Sequence, residues 1–277
     1  MKTGKDNKQA GARIALVTGA SSGIGAAAAA ALAAAGYKVY GTSRRAINAP
    51  GGAFVPLVLD VTSDASVTAA VAHIVAREGR IDLLVNNAGF GVAPAAAEES
   101  SLAQAQAVFD CNFFGTVRMT RAVLPAMRAA GGGRIVNIGS ALGFLPMPYM
   151  ALYSASKHAV RAYSEALDHE VRGDGVRVSV IEPAYIGTAF ESNLAEPDAP
   201  LEAYRAVREG VVRRMKELLL GAEKPTLVAD MVVTAASARE PRLHYAPGMA
   251  ARVRLLRRFA PARVLDAGIR KDLRLPA

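Results

Sequence analysis

The stretch from Arg13 to Gly36 constrains the fold more than any other. Arg13-Ile-Ala-Leu-Val17 is a short apolar run of strand character. Thr18-Gly-Ala-Ser-Ser-Gly-Ile-Gly25 follows at once, then an Ala-rich, helix-forming run that Gly36 closes. Strand, glycine-rich turn and helix in that order bring free N–H groups and the positive end of a helix dipole to the carboxyl end of a strand. An anion binds there, and the small side chains let the helix approach a sheet closely. The spacing is Gly-x3-Gly-x-Gly, not the commoner Gly-x-Gly-x-x-Gly. It reads as a phosphate-cradling turn made of Gly19, Ser21, Ser22, Gly23, Ile24 and Gly25.

Strand and helix then alternate down the chain. Tyr37 to Tyr40 reads as a second strand, followed by Gly41-Thr-Ser-Arg-Arg45. An acid at this point would accept from a ribose 2′-OH, but none is present. Ser43, Arg44 and Arg45 offer a hydroxyl and guanidiniums, which suit a 2′-phosphate. NADP(H) is therefore expected over NAD, with a solvated basic turn as the alternative. Phe54 to Val61 reads as a third strand. Asp60 at its end either accepts from an adenine amine, with Val61 against the ring, or caps the helix spanning 65–78. A fourth strand, Ile81 to Val85, runs into Asn86-Asn87-Ala88-Gly89, whose amides can tie strand ends together.

Residues 102–130 read as one long helix that Pro125 bends or closes. Asn112 lies in its middle, an unfavourable place for Asn unless it has a polar task. Gly133 to Ile138 is a fifth strand ending in Gly139-Ser140, and Val176 to Ile181 a sixth. Residues 189–220 show two amphipathic patterns separated by Pro197 and Pro200, an excursion over the carboxyl ends of the strands. A helix over 226–238, a short strand at 243–245 and a helix over 248–267 complete the chain. Repeats and linkers are absent, so 13–277 is expected to be one domain behind a flexible tail of residues 1–12. Six alternations imply an α/β, three-layer, doubly wound parallel sheet of about seven strands.

Tyr153-Ser-Ala-Ser-Lys157 places a phenol and an ammonium one helical turn apart. A cation beside a phenol lowers its pKa from about 10, and a Tyr so tuned passes protons at neutral pH. A surface Tyr packed on a Lys stem is the competing reading.

Over residues 14–188 these motifs, in this order and spacing, resemble the short-chain dehydrogenase/reductase family. The resemblance implies a Rossmann-type oxidoreductase with a helical substrate lid after strand six. It implies hydride transfer between nicotinamide and a carbonyl or alcohol carbon, with Asn112, Ser140, Tyr153 and Lys157 as catalytic residues. Tyr153 would move the proton, Lys157 would lower its pKa and hold the ribose, Ser140 would hold the carbonyl oxygen, and Asn112 would anchor a water. Gly19 to Gly25, Asp60, Val61, Asn87, Ala88, Gly89, Pro183, Ile186 and Thr188 would contact the cofactor together with Tyr153 and Lys157. One departure is Pro183-Ala184, where the family commonly has Pro-Gly.

Phe90, Ser140, Ala141, Leu142, Phe144, Leu145, Met147, Met150, Tyr185 and Phe190 would line an apolar substrate pocket. It suits a steroid-, retinoid- or lipid-like ketone, aldehyde or alcohol. The alternatives are a non-catalytic NADP(H) sensor and an NAD-preferring alcohol dehydrogenase on the same scaffold. A homodimer or homotetramer is implied by the resemblance.

Four scattered His and a single Cys, Cys111, give no metal cluster and no intramolecular disulfide. Residues 1–10 have no apolar stretch of signal-peptide type, no segment is a membrane span, and a cytoplasmic location is expected. The net charge of +9 is concentrated in residues 242–274. That segment reads as a solvated Arg-rich face, without the interleaved aromatics or motif of a nucleic-acid binder. An anionic lipid or acidic partner is the other reading.

Overall fold

The computed structural model describes residues 12–46 and 52–276; most of the tail expected at residues 1–12 lies outside them. Seven parallel strands form one sheet, in the spatial order β3-β2-β1-β4-β5-β6-β7. They are β1 (Arg13–Val17), β2 (Tyr37–Ser43), β3 (Val55–Val58), β4 (Leu83–Asn86), β5 (Gly133–Ile138), β6 (Val176–Ile181) and β7 (His244–Tyr245). Side chains alternate across a strand. Ala15 and Val17 accordingly face one core, with α1 (Gly23–Ala34) and α7 (Pro225–Ser237). Ile14 and Leu16 face the other, with α2 (Asp64–Glu78), α4 (Gly115–Ala129) and α5 (Ala151–Val171). Burial on both faces explains why these strands read as continuous apolar runs.

The structure departs from the sequence expectations at several places. β3 stops at Val58, so Asp60 and Val61 lie in the turn beyond it. Pro56 is tolerated because β3 is an edge strand. β2 instead runs on through Ser43, which carries Ser43 to the strand's carboxyl end.

The long helix is three pieces: α3 (Leu102–Phe109), a π turn at Asp110–Phe114, and α4. Pro125 lies inside α4 rather than ending it. The C-terminal helix is likewise two, α8 (Met249–Phe259) and α9 (Ala262–Asp272). Pro261 separates them, since it holds Ala260 in an extended conformation (ψ 136°) and lacks an N–H.

Only the second half of the excursion is helical, as α6 (Arg205–Leu219); before it come single 3₁₀ turns at Glu191–Asn193 and Glu202–Tyr204. Buried Glu99 anchors the excursion. Its carboxylate accepts from the N–H of Leu201 (2.9 Å) and of Ala96 (2.8 Å) and pairs with Arg208.

Candidate active site

At the carboxyl edge of the sheet, where the strand order reverses between β1 and β4, lies a cleft of about 1160 Å³. The turn after β1 forms one end. Gly19 (φ +67°) and Gly23 (φ +56°) take conformations that other residues rarely adopt. Gly25 is needed for space, because a Cβ there would lie 2.2 Å from the Gly19 carbonyl oxygen. Thr18 and Asn87 stitch this turn to the end of β4. Thr18 Oγ1 accepts from the N–H of Asn87 (2.9 Å) and of Ala88 (3.0 Å), while Asn87 Nδ2 donates to the carbonyls of Thr18 (2.9 Å) and Gly19 (3.0 Å).

Gly19, Ser21, Ser22, Gly23, Ile24, Ser43, Arg44 and Arg45 all border this arm of the cleft. So do Val61, Asn87, Ala88, Gly89, Pro183, Ile186 and Thr188, as expected. Gly25 and Asp60 do not border it. Asp60 Oδ1 accepts from the N–H (2.9 Å) and hydroxyl (2.8 Å) of Thr62, and the backbone bond holds its carboxyl below the usual range. The cap of α2 is Ser63, which accepts from Ser66 N–H (3.2 Å), so the helix-cap alternative for Asp60 does not hold.

Whether a dinucleotide fits this arm is tested by two features. Gly25 lets the start of α1 close onto the Gly19 carbonyl and Asn87, which shapes the cradle. Buried Thr42 Oγ1, on the cleft wall, has no hydrogen-bond partner among the described residues. With the hydroxyls of Ser21 and Ser22 and the guanidiniums of Arg44 and Arg45, the donor set fits an anionic nucleotide.

Ser140, Tyr153 and Lys157 meet at the middle of the cleft. Ser140 follows β5; its Oγ accepts from Leu142 N–H (3.1 Å) and lies near enough to the Tyr153 hydroxyl to pull its pKa down. Tyr153 lies in the first turn of α5, with the Phe190 ring 5.5 Å from its own. Lys157 Nζ lies 5.6 Å from the Tyr153 ring centre and donates to the Ile138 carbonyl (2.9 Å).

The expected lowering of the Tyr153 pKa by Lys157 is not what the protein groups produce. Burial pushes the phenol up, against the lowering influence of Ser140, and Glu191 adds to the rise. The same burial drives Lys157 down to about 8. The ammonium is itself disfavoured here, and it is turned toward Ile138.

Asn112 occupies the π turn, a geometry that recurs at functional sites. Its side chain does not border the cleft. Oδ1 accepts from Phe90 N–H (2.9 Å), while Nδ2 donates to the Phe90 carbonyl (2.8 Å) and to Ser156 Oγ (3.0 Å). The amide thus braces the segment after β4 against α5. A second buried chain crosses the core. Asn86 Nδ2 donates to Asn137 Oδ1 (2.9 Å), Asn137 Nδ2 to Ser164 Oγ (2.8 Å), and Ser164 Oγ to the Val160 carbonyl (2.6 Å).

The other arm is apolar. Phe90, Ala141, Leu142, Leu145, Met147, Met150, Tyr185 and Phe190 border it as expected, but Phe144 does not. Its ring lies under the Arg161 guanidinium (5.6 Å), and its carbonyl accepts from Arg257 Nε (3.3 Å). The sequence reading missed the far wall: Met215 and Leu218 of α6, Met249, Val253 and Leu256 of α8, and Leu265 of α9. Their amphipathic spacing was visible, but not what they cover. Two acids face this arm. Asp272 pairs with Arg214 (2.6 Å), and burial pushes the Glu191 carboxyl up.

Among the described residues no group of His, Cys, Asp and Glu is placed to hold a metal ion, and no helix is long and apolar enough to cross a membrane.

The family model for short chain dehydrogenases matches residues 13–199. A 3-ketodihydrosphingosine reductase of Bacteroides thetaiotaomicron is 44% identical over 181 residues, 65% of this chain and 66% of that protein. The chain therefore covers just under two thirds of that relative. The 17-beta-hydroxysteroid dehydrogenase type 1 of Homo sapiens is 35% identical over 255 residues, 84% of this chain and 76% of that protein. Among solved structures, a short-chain dehydrogenase from Streptomyces avermitilis superposes with a TM-score of 0.80 at 34% identity, covering 96% of this chain and 98% of that one. One from Burkholderia cenocepacia, in complex with NADP, gives 0.75 at 29% identity over 93% and 97%. Another from Burkholderia phymatum, in complex with NAD, gives 0.75 at 29% identity over 88% and 92%.

Proposed function

The chain belongs to the short-chain dehydrogenase family, an oxidoreductase family acting on alcohols and ketones, and on that footing we propose that it is an NADP(H)-dependent reductase of a bulky hydrophobic ketone. One feature carries this reading. Ser140 and Tyr153 stand together where a cationic, glycine-lined arm of the cleft meets an apolar one.

The nicotinamide supplies the hydride chemistry. The turn at Gly19–Gly25 and the start of α1 hold the pyrophosphate, and Ser43, Arg44 and Arg45 take the ribose 2′-phosphate. Ser140 holds the substrate oxygen, where negative charge develops during reduction. Tyr153 gives that oxygen its proton. Burial keeps the phenol protonated at neutral pH, which suits a donor. Lys157, at about 8, exchanges protons near neutrality and can resupply the site. Asn112 fixes the backbone of Phe90 against the helix that carries Lys157.

The apolar arm supports a lipid- or steroid-sized ketone, and the names of the two relatives, a ketodihydrosphingosine reductase and a hydroxysteroid dehydrogenase, agree with that size. The test follows NADPH absorbance with steroid, retinoid and long-chain keto substrates, for the native protein and Tyr153→Phe. The variant should lose about 10²- to 10⁴-fold in kcat while still binding NADPH. Unaltered turnover in Tyr153→Phe would remove Tyr153 from the chemistry.

A further inference from the structure

Beside the cleft, α8 and α9 carry a surface that the oxidoreductase reading leaves unused. Leu255 (60% exposed), Leu256 (54%), Phe259 (74%) and Val264 (58%) face water within ten residues of chain. Leu255, Leu256 and Phe259 fall within about 100° of one another around α8, so they make one face rather than scattered single residues. Leu256 and Val264 also line the cleft, which makes this face continuous with its apolar wall.

The same two helices are strongly cationic. Arg254 pairs with Glu182. Arg252, Arg257, Arg258, Arg263, Arg270 and Lys271 have no carboxylate partner among the described residues.

We propose that α8 and α9 rest on the surface of an anionic phospholipid bilayer. The unpaired cations would lie among the headgroups, and Leu255 and Phe259 would reach into the acyl boundary. A lipophilic ketone then passes along Leu256 and Val264 into the cleft without crossing water. Charge selects this occupant. A second copy of the chain would bring two cationic faces together, which is repulsive. A nucleic acid would use the cations but leave four large apolar side chains in water.

The experiment is vesicle flotation of the full chain, with vesicles of phosphatidylcholine alone and of phosphatidylcholine with phosphatidylserine. It needs no substrate, so it stands apart from the assignment of activity. Binding should require phosphatidylserine and weaken as salt is added. Two variants probe the two halves of the surface, Leu255→Ser/Phe259→Ser and Arg252→Gln/Arg263→Gln. Arg252→Gln/Arg263→Gln should lower the partition coefficient about tenfold or more, because each basic residue near an anionic surface contributes roughly fivefold. Leu255→Ser/Phe259→Ser should lower it by a similar factor by removing the groups that enter the acyl boundary. None of these four residues lines the cleft, so both variants should retain native turnover of a short, water-soluble ketone. Native circular-dichroism spectra and melting temperatures of both variants confirm that they are folded, independent of any substrate.

Equal binding by native and variant proteins, or no binding to phosphatidylserine vesicles, would overturn the proposal. So would a change from dimer to monomer in Leu255→Ser/Phe259→Ser without any vesicle binding, since the face would then be a contact between copies. Retardation of nucleic acid without vesicle binding would overturn it as well.

Discussion

Replacing Lys157 by Met should make the protein inactive and more stable together. The ammonium is buried, and burial lowers its pKa from 10.5 to about 8. At about 1.4 kcal/mol for each tenfold change, carrying that proton into the folded state costs about 3 kcal/mol at pH 7. Met has similar volume and no charge, so it avoids this cost. Against that gain, the Ile138 carbonyl loses its donor, which costs about 1 kcal/mol. The variant should be more stable by about 2 kcal/mol at pH 7.

The sign of the pH dependence follows from the same shift. A lysine with a depressed folded-state pKa penalises folding fully below about 8, and the penalty fades as pH rises toward 10.5. Between pH 7 and about pH 9.5 the native protein should regain about 2 kcal/mol that the variant does not, so the two should nearly converge. Urea titration followed by circular dichroism at both pH values measures the gap. A gap that stays constant with pH, or a variant less stable by the same amount at both, would show that burial does not penalise this ammonium.

Three further outcomes are expected. Arg44→Ala should weaken NADPH binding about tenfold or more and leave NADH binding within about twofold, as fluorescence titration would show; equal losses for both would remove Arg44 from the 2′-phosphate. Gly25→Ala should lower the melting temperature and weaken both nucleotides, because its Cβ meets a backbone oxygen at 2.2 Å rather than a movable side chain; native-like binding would mean that the turn relaxes. Asn112→Ala strips partners from both the N–H and the carbonyl of Phe90 and should cost about 2–4 kcal/mol in urea titration; a loss under about 1 kcal/mol would refute the bracing role.

The central strands β1, β4 and β6 were legible because they are buried on both faces and are written as largely apolar runs, with glycines or amides near the carboxyl ends of the first two. Most of the site was legible for the same reason: Gly19, Asn87, Ser140 and Pro183 are fixed to strand ends a few residues away. Long-range packing was less visible. Helical spacing placed Lys157 beside Tyr153 correctly, but not the Ile138 carbonyl that captures the ammonium, nor the burial that moves both pKa values against the simple pairing. The far wall of the cleft was missed because an amphipathic stripe such as Met249, Val253 and Leu256 shows that a face is covered, not what it covers. Phe144 looked like a pocket residue by its place in an apolar loop, yet two arginines from distant elements hold it elsewhere. The π turn at Asn112 left one trace, an amide where a helix interior does not favour one.

The chain of hydrogen bonds from Asn86 through Asn137 to Ser164 has a consequence for reach. Apolar packing holds a helix against a sheet but scarcely decides how far along its own axis the helix sits. A slip of one turn would carry Tyr153 about 5.4 Å from its place, while proton transfer needs the donor within about 3 Å of its acceptor. Ser164, eleven residues along α5 from Tyr153, seats the helix against Asn137 at one depth only, as a detent stops a sliding rod. The travel of the phenol is thus limited by two amides in the dry interior, so a mutation there should misplace the reaction without altering any group that takes part in it.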